Sequence, residues 1–260
     1  MIDIKAFFPE EEKPLERLLE GPGFCGIFRT IGCVGDSLSS GEFQTKKKDG
    51  TWRYTDMFEY SWGQYLARAA GCTVYNFSRG GMTAKEYMSG FARSRGFWDP
   101  TLGCQAYIIA LGANDVRRHP LGSMEDVHED YHENNPETFA GNYAAIIQKL
   151  KTIRPEAKFF LMTMPKNTDA ERNARVEAHA QLIYQMAERF SNCYVIDFAQ
   201  YAPITDEYAK EKFWLNGHLN ALGYLFWSKM IMTYMDYIIR HNLHDFDLVG
   251  FIGKESLMED

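Results

Sequence analysis

The sequence carries no cysteine pair at C-x-x-C spacing, and its five cysteines, Cys25, Cys33, Cys72, Cys104 and Cys193, are odd in number. Cys33, Cys72 and Cys193 lie in or beside apolar runs, which fits reduced core thiols better than a disulfide framework or a cysteine-bound zinc. Positive charge is also short. The chain has 28 Lys and Arg against 35 Asp and Glu, a net charge of −7, whereas a nucleic-acid binder carries a basic face. There is no basic amphipathic stretch suited to a membrane surface, and no apolar run reaches transmembrane length. Residues 1–10 lack the basic start and long apolar run of a secretory signal. The expectation is therefore a complete, cytoplasmic chain with neither nucleic acid nor membrane as partner. Neither G-x-G-x-x-G nor a Walker sequence occurs, so a nucleotide-binding reading lacks its phosphate loop. No internal repeat, low-complexity tract or linker divides the sequence, and nothing in it reads out an oligomeric state.

What is present suits one large α/β domain. The 260 residues are 45% hydrophobic and 15% aromatic, ample for a packed core. The expected domain runs over 1–260, with 1–28 as an N-terminal lead-in containing a short surface helix or irregular stretch at 10–20. Residues 243–260 are expected as an irregular tail packed on the domain. Apolar, β-compatible runs predict strands at 29–34, 72–77, 105–111, 157–164 and 194–198. Helical patterns fall at 58–70, from Thr83 onward, at 136–153, 169–190 and 222–241. Asp49-Gly50 between β-compatible flanks predicts a hairpin over 46–54 with a solvated lysine arm. Residues 117–136 are polar, His-rich and acidic, and read as a surface excursion. Five strand–helix alternations with right-handed crossovers give a parallel sheet with helices on both faces.

The first strand ends in Gly35-Asp36-Ser37-Leu38. In an open parallel sheet, the turn after a strand lies at the carboxyl edge, where ligands bind. Asp and Ser there also suit a plain helix cap. Gly80-Gly81 follows the second strand and Gly112-Ala113-Asn114-Asp115 the third, so both belong to the same edge. His218 must arrive from the loop before the last helix. Acyl transfer by serine needs a nucleophile, a base, something to orient the base, and donors for the oxyanion. Ser37 is the candidate nucleophile and its N–H a candidate donor. Gly81 lacks a Cβ, so its N–H can approach a substrate closely. The Asn114 amide can donate to the same oxygen, and His218 is the candidate base.

Gly35-Asp36-Ser37-Leu38, the block from Asn76 to Gly81, Leu111-Gly112-Ala113-Asn114-Asp115 and His218 resemble, in order and spacing, the SGNH hydrolases, also called GDSL esterases. The resemblance spans about residues 29–241. It implies a three-layer, flavodoxin-like α/β fold with a five-stranded sheet of order 2-1-3-4-5. It also implies ester hydrolysis without a metal or other cofactor, through an acyl-enzyme on a small-molecule or carbohydrate ester with an acetyl or other short acyl group. By position it implies Ser37 as nucleophile, Gly81 and Asn114 as oxyanion donors and His218 as base. One position departs from the family: Leu215 stands where Asp is usual, three residues before the histidine. The Leu215 backbone carbonyl could accept the Nδ1 proton instead, with Asp206 as the backup carboxylate. Asp197, at a strand end, suits a structural role. The departure also leaves open a non-catalytic ligand-binding relative.

A rival motif is His128-Glu129-Asp130-Tyr131-His132, which matches H-E-x-x-H. On a buried helix this spacing supplies two zinc ligands and a catalytic Glu. The flanking residues offer no continuous apolar face and no third histidine ligand follows, so a solvated acidic segment at the rim of the ester site is expected.

Overall fold

The computed structural model describes residues 3–129, 135–254 and 257. In chain order its strands are β1 (Thr30–Gly35), a hairpin of β2 (Glu42–Lys46) and β3 (Trp52–Asp56), β4 (Thr73–Ser78), β5 (Ala106–Ala110), β6 (Lys158–Met162) and β7 (Cys193–Ile196). A second, two-residue hairpin follows, β8 (Trp214–Leu215) and β9 (His218–Leu219). The central sheet has the order β4-β1-β5-β6-β7 and is parallel throughout. Numbered among the parallel strands alone, that is the expected 2-1-3-4-5.

Strand parity explains why the sheet is covered on both faces. Successive side chains of a strand point to opposite sides. Ile31 and Cys33 of β1, Ile108 of β5 and Phe160 and Met162 of β6 enter one apolar cluster, with the helices Trp62–Ala70 and Ala221–His241. Val34, Tyr107, Ile109, Phe159 and Leu161 enter the other, against the helices Phe139–Ile153 and Ala170–Arg189. Burial on both faces is what a near-continuous apolar run specifies.

Register then sets the edge. Gly35 is level with Ser78 on one side and with Ala110 on the other. The chain leaves β1, β4 and β5 at one height, so the turns that follow meet over the same ground.

One sequence expectation narrows and another changes. Over 10–20 the irregular alternative holds and no helix forms. Backbone N–H groups of the lead-in are taken by side chains of the last helix: Leu19 donates to Thr233 Oγ1 at 3.1 Å and Phe24 to Asp236 Oδ1 at 2.7 Å. Short 3-10 turns at Ile4–Phe7 and Gly23–Ile27 flank that segment. The tail is less irregular than expected, with a helical turn at Leu243–Phe246 and a 3-10 turn at Val249–Phe251, and it buries Phe246, Val249 and Ile252 in the core. All five cysteines are free.

Candidate active site

Ser37 opens a one-turn helix, Ser37–Ser40, directly after β1. Asp36 caps it: its carboxylate accepts from Leu38 N at 3.1 Å, and its carbonyl accepts from Ser39 N and Ser40 N. The first N–H of a helix has no intrahelical acceptor, so the Ser37 amide is available to an oxyanion. Gly41 takes φ +76°, a left-handed conformation that ends the helix after one turn. The chain therefore reverses at once into β2. Ser40 Oγ binds Asp56 Oδ1 at 2.5 Å and clasps the far strand of the hairpin to the helix that Ser37 opens.

Gly81 has φ +74°, and a Cβ there would meet open space. Its requirement for glycine is conformational. Arg118 Nη1 donates to the Gly81 carbonyl at 2.9 Å and fixes that peptide. Asn76, at the start of the same block, turns back on its own strand end, where Oδ1 accepts from Ser78 N at 3.0 Å. Asn114 is buried. Its Nδ2 donates to Met82 O at 3.1 Å and lies 3.5 Å from Asp36 Oδ2, while its Oδ1 accepts from Arg117 Nη2 at 3.0 Å. Burial pushes the Asp36 carboxyl up to about 6, although the Leu38 N–H and the His218 charge act against it. Burial likewise pushes Asp115 up to about 7.

His218 sits on β9, across the Asn216-Gly217 turn from β8, with Leu215 as its register partner. Asn216 adopts φ +59°, a conformation that Asn tolerates in tight turns. The hairpin is held by β2. Gln44 Oε1 accepts from Gly217 N at 2.6 Å, and the Gln44 carbonyl accepts from Asn216 Nδ2 at 2.8 Å. The Tyr54 ring stands edge-on to the imidazole, with centroids 6.0 Å apart.

The group that meets the histidine is Glu42. Its Oε1 lies 3.0 Å from His218 Nε2, and both side chains are largely buried. A Cβ on Gly80 would collide with the same carboxylate, which places Glu42 between the histidine and the Gly80-Gly81 turn. The expected orienters do not reach the ring. His218 Nδ1 is buried without a hydrogen-bond partner among the described residues, so the Leu215 carbonyl does not accept from it. Asp206 is exposed and caps the helix Glu207–Phe213, accepting from Ala209 N at 2.8 Å. Asp197 binds Thr163 Oγ1 at 3.0 Å and the Tyr184 hydroxyl at 2.7 Å, as a structural residue would.

Sequence reasoning missed Glu42, although a signal existed. A hairpin turning at Asp49-Gly50 extends its first strand back to Gly41, and strand parity puts Glu42 and Gln44 on one face. Ser37, Gly81, Asn114, His218 and Glu42 all line one cavity of about 930 Å³. The Ser37 hydroxyl forms no hydrogen bond among the described residues, to His218 or to any other group. Of the rival motif, His128 lies outside any helix, and residues 130–134, with His132, lie outside the described residues. No cluster that could hold a metal occurs among the described residues.

A serine at a strand-turn-helix junction, two strand-end turns and an incoming histidine meet at one sheet edge of a three-layer α/β fold. The GDSL-like lipase/acylhydrolase family matches residues 33–225, and the chain belongs to that family. No curated protein matches it in sequence. Among solved structures, it is similar to a family two carbohydrate esterase from Clostridium thermocellum in complex with cellohexaose, at 15% identity and a TM-score of 0.55, covering 84% of this chain and 65% of that one. It is also similar to a carbohydrate esterase family 2 enzyme with a carbohydrate-binding domain from Corynascus thermopiles, at 16% identity and TM-score 0.53, covering 78% and 64%. A protein assigned to the G-D-S-L lipolytic family from Desulfitobacterium hafniense matches at 17% identity and TM-score 0.50, covering 79% and 99%. The chain thus spans just under two thirds of the two carbohydrate esterases, and at these identities the likeness is one of fold. No helix of the described residues is long and apolar enough to cross a membrane.

Proposed function

We propose that the protein is a serine esterase that cleaves an acetyl or other short acyl ester of a small molecule or carbohydrate through an acyl-enzyme. The observation that carries this reading is the convergence of four separate sequence blocks on one cavity. Ser37 Oγ attacks the ester carbonyl and its proton passes to His218. The oxyanion that forms is met by the Ser37 and Gly81 N–H groups and by Asn114 Nδ2, which exchanges its 3.5 Å contact with Asp36 for the new charge. Collapse expels the alcohol, which takes the proton from His218. Water then repeats the sequence and releases the acid.

Glu42 is the orienter in this scheme. Accepting the Nε2 proton fixes the tautomer, leaves Nδ1 as the free base, and stabilises the imidazolium as the proton leaves serine. The step requires Ser37 to turn onto the ring, and catalytic pairs commonly close only around substrate. The unbonded Ser37 hydroxyl equally favours a second reading, a non-catalytic ligand-binding relative.

Hydrolysis of p-nitrophenyl acetate and labelling by a fluorophosphonate separate the two. The esterase reading expects turnover and a label on Ser37, both abolished in Ser37→Ala, with turnover down by about 10⁴-fold. A folded wild-type protein that neither turns over nor labels is a binder.

A further inference from the structure

The cleft that holds Ser37 is cationic in a chain that is acidic overall. Arg117, Arg118, Arg172, Arg175 and Lys210 line it, against Asp36 and Glu42 as its carboxylates. Three of these cations make their side-chain hydrogen bonds to neutral groups. Arg117 donates to Asn114 Oδ1, Arg118 to the Gly81 carbonyl, and Arg172 Nη1 to the Pro165 carbonyl at 3.2 Å. All three acceptors are uncharged. Arg175 does pair with Glu171, but that partner is 84% exposed, and such surface pairs hold little energy. Its Nε is buried with no partner among the described residues.

The position of two of these arginines also works against the helix that carries them. Arg172 and Arg175 occupy the first turns of the helix Ala170–Arg189, where the macrodipole disfavours cations. Burial pushes the Arg172 guanidinium down, and the charges of Arg117 and Arg175 push it the same way, while the Asp169 charge acts against them. Like charges gathered in a cleft with low-dielectric walls focus a field that attracts anions, and guanidinium matches carboxylate and phosphate oxygens bidentately.

We propose that this end of the cleft is an anion subsite, and that the ester cleaved at Ser37 carries a carboxylate or phosphate engaged by Arg117, Arg172 and Arg175. The inference rests on reading the cleft as an esterase site and narrows its substrate class. Because Arg117 and Arg118 touch Asn114 and Gly81, two of the three residues assigned to the oxyanion, the anionic group belongs on the Asn114–Gly81 side of the ester.

The test uses matched acetyl esters that differ in charge: 4-acetoxybenzoate, 4-acetoxyphenyl phosphate and neutral 4-acetoxybenzamide. At low salt the wild type should prefer at least one anionic ester by tenfold or more in kcat/KM, and 0.5 M NaCl should erode that ratio. The arm that wins distinguishes carboxylate from phosphate. Arg172→Gln and Arg175→Gln should each cut the anionic-to-neutral ratio at least fivefold. Equal kcat/KM on all three esters, or arginine variants that leave the ratio unchanged, overturns the subsite. Calorimetry on Ser37→Ala, which cannot turn over, measures the subsite without catalysis. Tenfold tighter binding of an anionic ester than of the amide supports it even if the wild type hydrolyses nothing, in which case the esterase reading alone fails. Equal binding overturns the subsite whatever the activity.

Discussion

The two halves of the site are built by different means. Ser37, Gly81 and Asn114 leave the ends of three register-matched strands, and the turns that hold them are fixed by caps and buried neighbours: Asp36 and Asn114 are 4% and 6% exposed. His218 arrives on a hairpin of two-residue strands, too short to be stable alone. Polar contacts from Glu42 and Gln44, more than 170 residues away in sequence, secure it. The Ser37 half is fixed by backbone geometry, and the His218 half by side chains of one neighbouring strand. Perturbing the first should damage chemistry or stability outright, whereas perturbing the second should loosen the alignment of an intact base.

The largest effect expected beyond Ser37 itself is at the strand-end half. Asn114→Ala should lower kcat by about a hundredfold or more with KM little changed, because its amide acts on charge that develops only in the transition state. A matched rise in KM with kcat preserved would move Asn114 from the oxyanion to ground-state binding.

Glu42→Gln probes the other half, with a loss of about ten- to a hundredfold in kcat. Gln keeps the shape and one acceptor but removes the charge that stabilises the imidazolium. The opposite result is equally informative. If Glu42 occupies the nitrogen that Ser37 needs, the variant gains activity, and the carboxylate is a competitor of the nucleophile.

How far the sequence reveals each half follows the same division. Strand ends, the Asp36 cap, the helix start at Thr83 and the helix end at residue 70 are local, and each stands where its pattern predicts. The sheet order follows from the resemblance and the crossover rule. The histidine's partner was legible only in part: strand parity puts Glu42 and Gln44 on one face, but their proximity to His218 is created by a one-turn helix and a hairpin rather than by spacing. The lysine arm, Lys46 to Lys48, is exposed as expected, yet the other end of that hairpin builds the site. Asn216-Gly217 between Trp214-Leu215 and His218-Leu219 is a hairpin pattern in plain view. The arginines of the cleft were not legible either, since Arg117 and Arg172 lie on separate elements and meet only in three dimensions.

Acidification separates the halves by stability instead of rate. His179 lies under the Asn114 turn, with Nε2 3.0 Å from the Leu111 carbonyl, and burial lowers it to about 4. The folded protein keeps it neutral while the unfolded chain protonates it near 6.5. Its contribution is therefore complete above pH 6.5 and is lost as pH falls toward 4. Asp36 and Asp115, raised to about 6 and 7, act oppositely, since the folded state takes up their protons first. Removing His179 leaves the carboxyls unopposed. Urea unfolding should show His179→Gln destabilised at pH 7.5 and that deficit narrowing by about 2 to 3 kcal/mol at pH 4.5. A deficit constant between the two pH values would mean that His179 is neutral in both states or charged in both.

The smallest effects fall on the two groups first considered as orienters. Asp206 caps the helix Glu207–Phe213 from an exposed position, and Asn caps about as well as Asp. Asp206→Asn should therefore leave kcat within twofold and stability within about 0.5 kcal/mol. The Leu215 side chain is 37% exposed, and its backbone pairs with His218 whatever the side chain is, so Leu215→Ala should also stay within about threefold, short of any core-packing loss. These near-silent substitutions carry weight because a true triad carboxylate costs about 10⁴-fold when it becomes an amide in the serine protease case. A loss of that size in folded Asp206→Asn would require the β8–β9 hairpin to swing toward the helix Glu207–Phe213 during turnover. Glu42 would then hold only the resting state, and the base half would be the moving part of the site.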